Sequence, residues 1–309
     1  MNVIFLYAMN NIVDKLNNLI LDTYRDLIRK NGKSKIAKNI HKLANNIVIA
    51  YENEACSDMS KNGELYIIES IKQYYDNQKL TIFDVGANRG KYASLIHKNI
   101  DNSTIHCFEI VPQTFNLLTK NLSLNENIVL NNFGLSDIDK IEKVTWFTKE
   151  DSGSSINPLP WQSNSETIEC KVVSGDNYCL INNIDKIDLL KIDTEGHELS
   201  VLNGFKNLIK EGKISTIQFE YGFTYIPSKT TLGDIYELLT PCGYSIGRLY
   251  PQGVGFKQYD LFEDETFKAG NYIATHKSAS NFIESIMLLY QIMERITLLK
   301  YKLNKVSFF

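Results

Sequence analysis

The chain has 309 residues, 43% hydrophobic and 22% charged, with a formal net charge of -3 at pH 7. This composition argues against disorder and suits one large α/β domain with appendages, and the slight acidity gives no overall reason to expect a nucleic-acid partner. Five scattered cysteines (Cys56, Cys107, Cys170, Cys179, Cys242) form no CxxC pair, so neither a zinc site nor a disulfide framework is expected, and a reducing cytoplasm fits.

Residues 1–75 place apolar side chains at helical spacing among Lys, Asn and Asp, for example Ile12, Leu16, Leu19 and Ile20, and read as a helical N-terminal extension. The apolar run Val3 to Met9 lacks a basic leader and a small-residue cleavage site, and no stretch reaches the roughly 18 apolar residues of a membrane span. From Thr81 the pattern changes to alternating strands and helices, which folds as a parallel sheet covered on both faces. Strands are expected at Thr81–Val85, Thr104–Phe108, Asn127–Leu130, Ile187–Ile192 and Ser215–Phe219, and helices at Lys91–Asn99, Gln113–Leu122 and Glu198–Ile209. Two short strands, Val144–Phe147 and Thr167–Val173, flank a polar loop at Asp151–Ser155, and Tyr244–Leu249 with Asn271–Thr275 form a closing antiparallel pair. The segment 279–309 repeats apolar residues at Phe282, Ile286, Leu289, Met293, Ile296 and Leu303. It reads as an amphipathic helix that docks on the lead-in helices, or else serves a homo-oligomer or a membrane surface.

The run Ile82-Phe83-Asp84-Val85-Gly86-Ala87-Asn88-Arg89-Gly90 ends a strand in an acid and a small-residue turn before a helix begins. That arrangement lets backbone approach a nucleotide-like cofactor closely, with Asp84 as an acceptor and Gly86, Asn88 and Gly90 tolerating positive φ. The next strand ends in Glu109, roughly 20 to 25 residues beyond the turn, where a βαβ unit brings a carboxylate beside a ribose. Asn132–Asp137 is expected to close over an adenine. The fourth strand delivers Asp193, Glu195 and His197 at a carboxyl end. Extended geometry would carry them to one side, to bind substrate, hold a metal or accept a proton. A competing reading gives Glu195 to Glu198 to the first turn of a helix, where acids are favoured. Glu220 adds a carboxylate at the same edge. Trp146, Trp161, Tyr221, Tyr225 and Tyr250 are candidates to stack on a sugar ring, against the plainer reading of core aromatics.

Taken in order, IFDVGANRG, FEIVP, NFGLSD, LLKIDTEGHE and QFEYG resemble the FkbM-type family of S-adenosylmethionine-dependent methyltransferases, over roughly Asn62 to Lys277. The resemblance implies a Rossmann-like class I fold with a seven-stranded, mostly parallel sheet in residues 76–278, and methyl transfer to a hydroxyl of a sugar, glycan or natural product. It assigns Asp84, Gly86, Asn88 and Gly90 to the methionine end of the cofactor and Glu109 to the ribose, and turns Asp193 and Glu195 toward the transferring methyl; Ser136 and Asp193 are also expected among the cofactor-binding residues. Ile110 departs from the proline that often follows the glutamate. The candidate base is Asp193 or Glu195 first and His197 second, with no resident metal expected. Three other readings remain open: a divalent metal held by Asp193, Glu195 and Glu220; a nicotinamide dehydrogenase, which the incomplete GxGxxG spacing disfavours; and a non-catalytic cofactor-binding or scaffolding protein.

Overall fold

A computed structural model describes residues 18, 21–147, 154–158, 165–289 and 291–293. The candidate positions Ile12, Leu16, Leu19, Ile20, Trp161, Ile296 and Leu303 lie outside the described residues. The chain divides into two compact units, 1–52 and 53–309. The first unit contains helical residues 21–31 and helix α1 (Lys35–Tyr51), whose N-cap Ser34 accepts a hydrogen bond from the Ala37 backbone N–H. The boundary therefore falls between Glu52 and Asn53 rather than at 75, because α2 (Glu64–Tyr75) buries Ile67, Ile68, Ile71 and Tyr75 in the core of the second unit.

Eight strands form the main sheet: β1 (Leu80–Val85), β2 (Ser103–Phe108), β3 (Ile128–Asn131), β7 (Ile187–Ile192), β8 (Ile214–Tyr221), β9 (Tyr244–Tyr250), β10 (Gly253–Phe256) and β11 (Gly270–His276). Their order is β10-β9-β11-β8-β7-β1-β2-β3. The five from β8 to β3 run parallel, and β11 is antiparallel to both β8 and β9. The eighth strand corrects the expected seven. Residues Gly253-Val254-Gly255-Phe256 pair antiparallel with β9, and their two glycines hide the strand pattern from a sequence reading.

A second, three-stranded sheet contains β4 (Gly134–Ser136), β5 (Lys140–Phe147) and β6 (Ser165–Ser174), in the order β4-β6-β5. Part of the expected adenine loop is thus a strand, β4, held parallel to β6. The expected helix Glu198–Ile209 is two, α6 (Glu198–Gly204) and α7 (Lys206–Lys210), joined at Phe205, whose ring is fully buried.

Near-continuous apolar strand runs are what two covered faces require. Phe83, Phe108, Ile192 and Phe205 pack on one face of the sheet, and Ile82, Ile105, Ile71 and Ile96 on the other. Among the described residues of the C-terminal segment, one helix spans Ser280–Ile286, and residues 289 and 291–293 are helical again. Phe282 docks against Tyr74 with ring centroids 5.1 Å apart, after which Met287 turns extended and bridges to Val254. Leu289 and Met293 are exposed. No helix among the described residues is long and apolar enough to cross a membrane.

Candidate active site

Chain order reverses between β1 and β7: β1, β2 and β3 step outward one way, β7 and β8 the other. Open α/β sheets bind ligands at such a switch point, outside the carboxyl ends of the strands. There the turn after β1 is pinned by Gly86 and Ala87 N–H groups donating to the Phe108 carbonyl at 3.0 and 2.9 Å, while Asp193 N–H donates to the Val85 carbonyl at 2.9 Å. Gly86, Asn88 and Gly90 all adopt positive φ, at 83°, 49° and 82°. At Gly86 a Cβ would run into the Asp193 carbonyl oxygen, so the two turns touch backbone to backbone. At Gly90 a Cβ would meet the Leu118 and Leu122 side chains, so this glycine seats helix α3 (Lys91–Asn99) against α4 (Pro112–Leu122).

Two cavities meet at these turns and share Gly86, Asn88, Asp193 and Glu195 on their walls. The first, about 170 Å³, lies toward β2 and the small sheet, lined by Phe108, Glu109, Ile110, Leu135, Ile156 and His197 among others. The second, about 400 Å³, lies toward α2, β8 and β11, lined by Asn62, Glu64, Arg89, Lys191, Glu220 and Asn271 among others. Of the residues expected at the site, Asp84, Gly90 and Ser136 sit behind the walls, and the others line one or both cavities. Tyr221 and Tyr225 are buried in the core, and Trp146 packs against the small cluster of Val111, Val144 and Cys170.

Glu109 is nearly buried, and its two oxygens accept from the Asn88 and Val111 backbone N–H groups, each at 2.9 Å. Burial outweighs those donors and raises its pKa to about 7. Each oxygen keeps a further lone pair for a ligand hydroxyl.

The acidic turn after β7 differs from the expected alternating strand. The strand ends at Ile192, and Glu195 (φ 55°) and Gly196 (φ 98°) turn the chain left-handed, which sends Asp193 and Glu195 to the shared rim and His197 elsewhere. Glu198 holds this turn by accepting from Thr194 N, Thr194 Oγ1 and Gly196 N at 2.8 to 3.0 Å. It is the first-turn acid of the competing reading, used as a clamp. From the other side, Ser155 Oγ donates to the Glu195 carbonyl at 2.8 Å. His197 caps α6, and its Nε2 lies 2.9 Å from Ser136 Oγ, which itself donates to Asp137. Burial drops its pKa to about 4, so it is neutral at physiological pH, a weak proton acceptor that lines only the first cavity.

Asp193, Glu195 and Glu220 each place a carboxylate oxygen within 4.8 Å of the others. Burial first, then the neighbouring acids Asp193 and Glu198, raises Glu195 to about 7; burial, then Asp193 and Glu195, raises Glu220 well above the usual carboxylate value. Neither carboxyl group has a hydrogen-bond partner among the described residues.

Lys191, which sequence reasoning passed over, anchors the set. Its ammonium is 3.1 Å from Asp193 Oδ2, 3.5 Å from Asp84 Oδ1 and 4.9 Å from the centre of the Tyr92 ring. Burial opposes its charge, but Asp193, Asp84 and Glu64 prevail and raise its pKa well above the usual value. Asp84 is fully buried with neither oxygen in a well-formed hydrogen bond, and burial raises its pKa. From Tyr92 a chain of hydrogen bonds runs through Gln218 to Glu64 and Asn62 on the second cavity's wall, each 2.9 Å. The available signal was the charge itself: a lysine inside an apolar, doubly covered strand needs acidic partners.

An open sheet with a glycine turn at its switch point, a buried carboxylate at the end of the neighbouring strand and an acidic rim is the kind of arrangement in which α/β sheets take nucleotide-type ligands. Residues 84–246 match the Methyltransferase FkbM domain. The hexuronic acid methyltransferase AglP of Haloferax volcanii is 28% identical over 142 residues, covering 46% of this chain and 56% of that one. Methyltransferase 1 of Beauveria bassiana is 25% identical over 143 residues, 40% of this chain and 57% of the other. The matched region thus spans little more than half the length of these relatives. Among solved structures, precorrin-6y C5,15-methyltransferase of Geobacter metallireducens superposes with a TM-score of 0.38 at 13% identity, covering 69% of this chain and 87% of that one. The chain belongs to the FkbM family of S-adenosylmethionine-dependent methyltransferases that its motifs resemble.

Proposed function

We propose that the protein is an O-methyltransferase acting on a hydroxyl of a sugar, glycan or natural product, with its chemistry at the rim shared by the two cavities. The observation that carries this reading is the meeting of Asp193 and Glu195 with the Gly86 turn at one point, open to a small cavity on one side and a larger polar one on the other. When bound, S-adenosylmethionine supplies an electrophilic methyl group on a cationic sulfur. The residues present fit it: the Gly86 turn leaves bare backbone where a ligand must approach, and Glu109 lines the first cavity with acceptor capacity to spare for a ribose. Acidic side chains also complement a sulfonium charge.

The second cavity, with Asn62, Asn271 and Glu64 on its wall, would receive the acceptor. Asp193, fixed by Lys191, orients the acceptor hydroxyl, and Glu195 takes its proton, being unpartnered and poised near neutral pH. The name of the Haloferax volcanii relative supports a sugar-type acceptor. Five unpaired thiols support a cytoplasmic setting.

Labelled-methyl transfer to a panel of neutral sugars and uronic acids tests the proposal, alongside calorimetric titration with S-adenosylmethionine. Glu195→Gln is expected to lower kcat by about 100-fold or more while donor affinity changes little. Unchanged turnover in both Glu195→Gln and Asp193→Asn removes the proposed site. The close approach of Asp193, Glu195 and Glu220 favours one second reading, a divalent cation that lowers the acceptor's pKa. Full activity in excess chelator excludes it.

A further inference from the structure

The methyl-transfer site leaves the N-terminal unit unexplained, and that unit differs from the rest of the chain in charge. Residues 1–52 carry eight Lys or Arg against four Asp or Glu, whereas the remainder carries 25 against 32. Helix α1 concentrates the difference, with Lys35, Lys38 and Lys42 and no acid between Lys35 and Tyr51. On the same helix Ile36, Ile40, Leu43, Ile47 and Tyr51 are exposed, at 73%, 46%, 63%, 60% and 77%. At 3.6 residues per turn these five fall within an arc of about 80°, with the three lysines grouped nearly opposite. Residues 21–31 likewise expose Leu21, Tyr24 and Leu27.

We propose that α1 is a membrane-surface helix that docks this protein onto an anionic lipid bilayer, with its apolar stripe in the acyl boundary and its lysines at the headgroups. A stripe of this length left in water is costly, and isolated exposed apolar residues do not line up along one face. Nucleic acid would account for the lysines but offers nothing to the stripe. A second copy of the chain would cover the stripe but gains nothing from the one-signed charge. An anionic bilayer uses both, through buried apolar area and electrostatic attraction of the basic residues near its surface. This proposal is independent of the acceptor and of the proton-transfer residues.

The test is co-sedimentation of the full chain with vesicles of phosphatidylcholine mixed with phosphatidylserine and with vesicles of phosphatidylcholine alone. The expected result is binding to the mixed vesicles, weaker binding to the neutral ones, and loss of the difference in high salt. Ile40→Asp combined with Ile47→Asp, at exposed positions that the fold does not need, is expected to abolish sedimentation. Lys38→Glu with Lys42→Glu is expected to weaken it by at least about tenfold. Circular dichroism and S-adenosylmethionine binding confirm that each variant is folded. Protein that stays in the supernatant with mixed vesicles overturns the proposal, as does binding indifferent to both pairs of substitutions. A dimer in sedimentation velocity that Ile40→Asp with Ile47→Asp dissociates, without vesicle binding by the parent, assigns the face to self-association and equally overturns it.

Discussion

The turns after β1 and β7 lie against each other, yet they are built on opposite terms. After β1, positive φ falls on Gly86, Asn88 and Gly90, residue types that tolerate it, and the nearby carboxylate Glu109 has both oxygens engaged by backbone N–H groups. After β7, a left-handed conformation is imposed on Glu195, a residue that resists it, and the carboxyl groups of Glu195 and Glu220 take no hydrogen bond among the described residues. The first turn has the marks of a rigid holder. The second stores strain and unmet electrostatic demand, which sites tolerate where chemistry uses them.

The largest expected break in this contrast is Lys191→Met. It leaves Asp84, which is fully buried, without its counter-charge, and loss of one partner from a buried pair costs about 3–5 kcal/mol. Chemical denaturation measures that loss, and Lys191→Arg should restore part of it. A smaller effect is expected on the holder side. Gly86→Ala forces a side chain against the Asp193 carbonyl oxygen and should lower stability by about 1–3 kcal/mol and donor affinity by at least tenfold in calorimetry. Equal donor affinity in Gly86→Ala and the parent would show that the turn does not form the donor's seat.

The smallest effect is in pH. Glu109, Glu195 and Glu198 have folded-state pKa values of about 7, above the ordinary 4.5, so the folded form binds more protons than the unfolded one in between. Their contribution to stability therefore falls as pH rises through about 7. His106 and His197, lowered to about 4, oppose this only below their ordinary 6.5, where the unfolded state takes up protons that the buried rings refuse. The melting temperature of the ligand-free protein should thus rise by a few degrees as pH is lowered from about 8 to about 7. A flat or opposite slope there would contradict the buried-acid description.

Much of this contrast could be read from the sequence on the β1 side and little on the β7 side, for a physical reason. Gly, Asn and an apolar strand state their backbone demands locally, so the turn at Gly86 and the strands flanking it are visible in one dimension. The role of Glu198 depends on three donors in the turn before it, and that of Lys191 on Asp84, more than a hundred residues earlier. Such partnerships leave no spacing to read, only a charge in an apolar run. His197 was misplaced because the two-residue period of a strand was carried past Ile192, where left-handed Glu195 and Gly196 end it. Strand β10 was missed because its glycines mask a pairing set by the neighbouring edge.

A crystal structure with S-adenosylhomocysteine bound bears most directly on the claim that the two turns together form the donor site. The account predicts its adenosine in the cavity lined by Glu109 and Ile156, its sulfur at the rim between Gly86 and Asp193, and the side of the sulfur that loses the methyl facing Glu195. Density for the molecule elsewhere in the fold, or a sulfur turned away from Asp193 and Glu195, would contradict it.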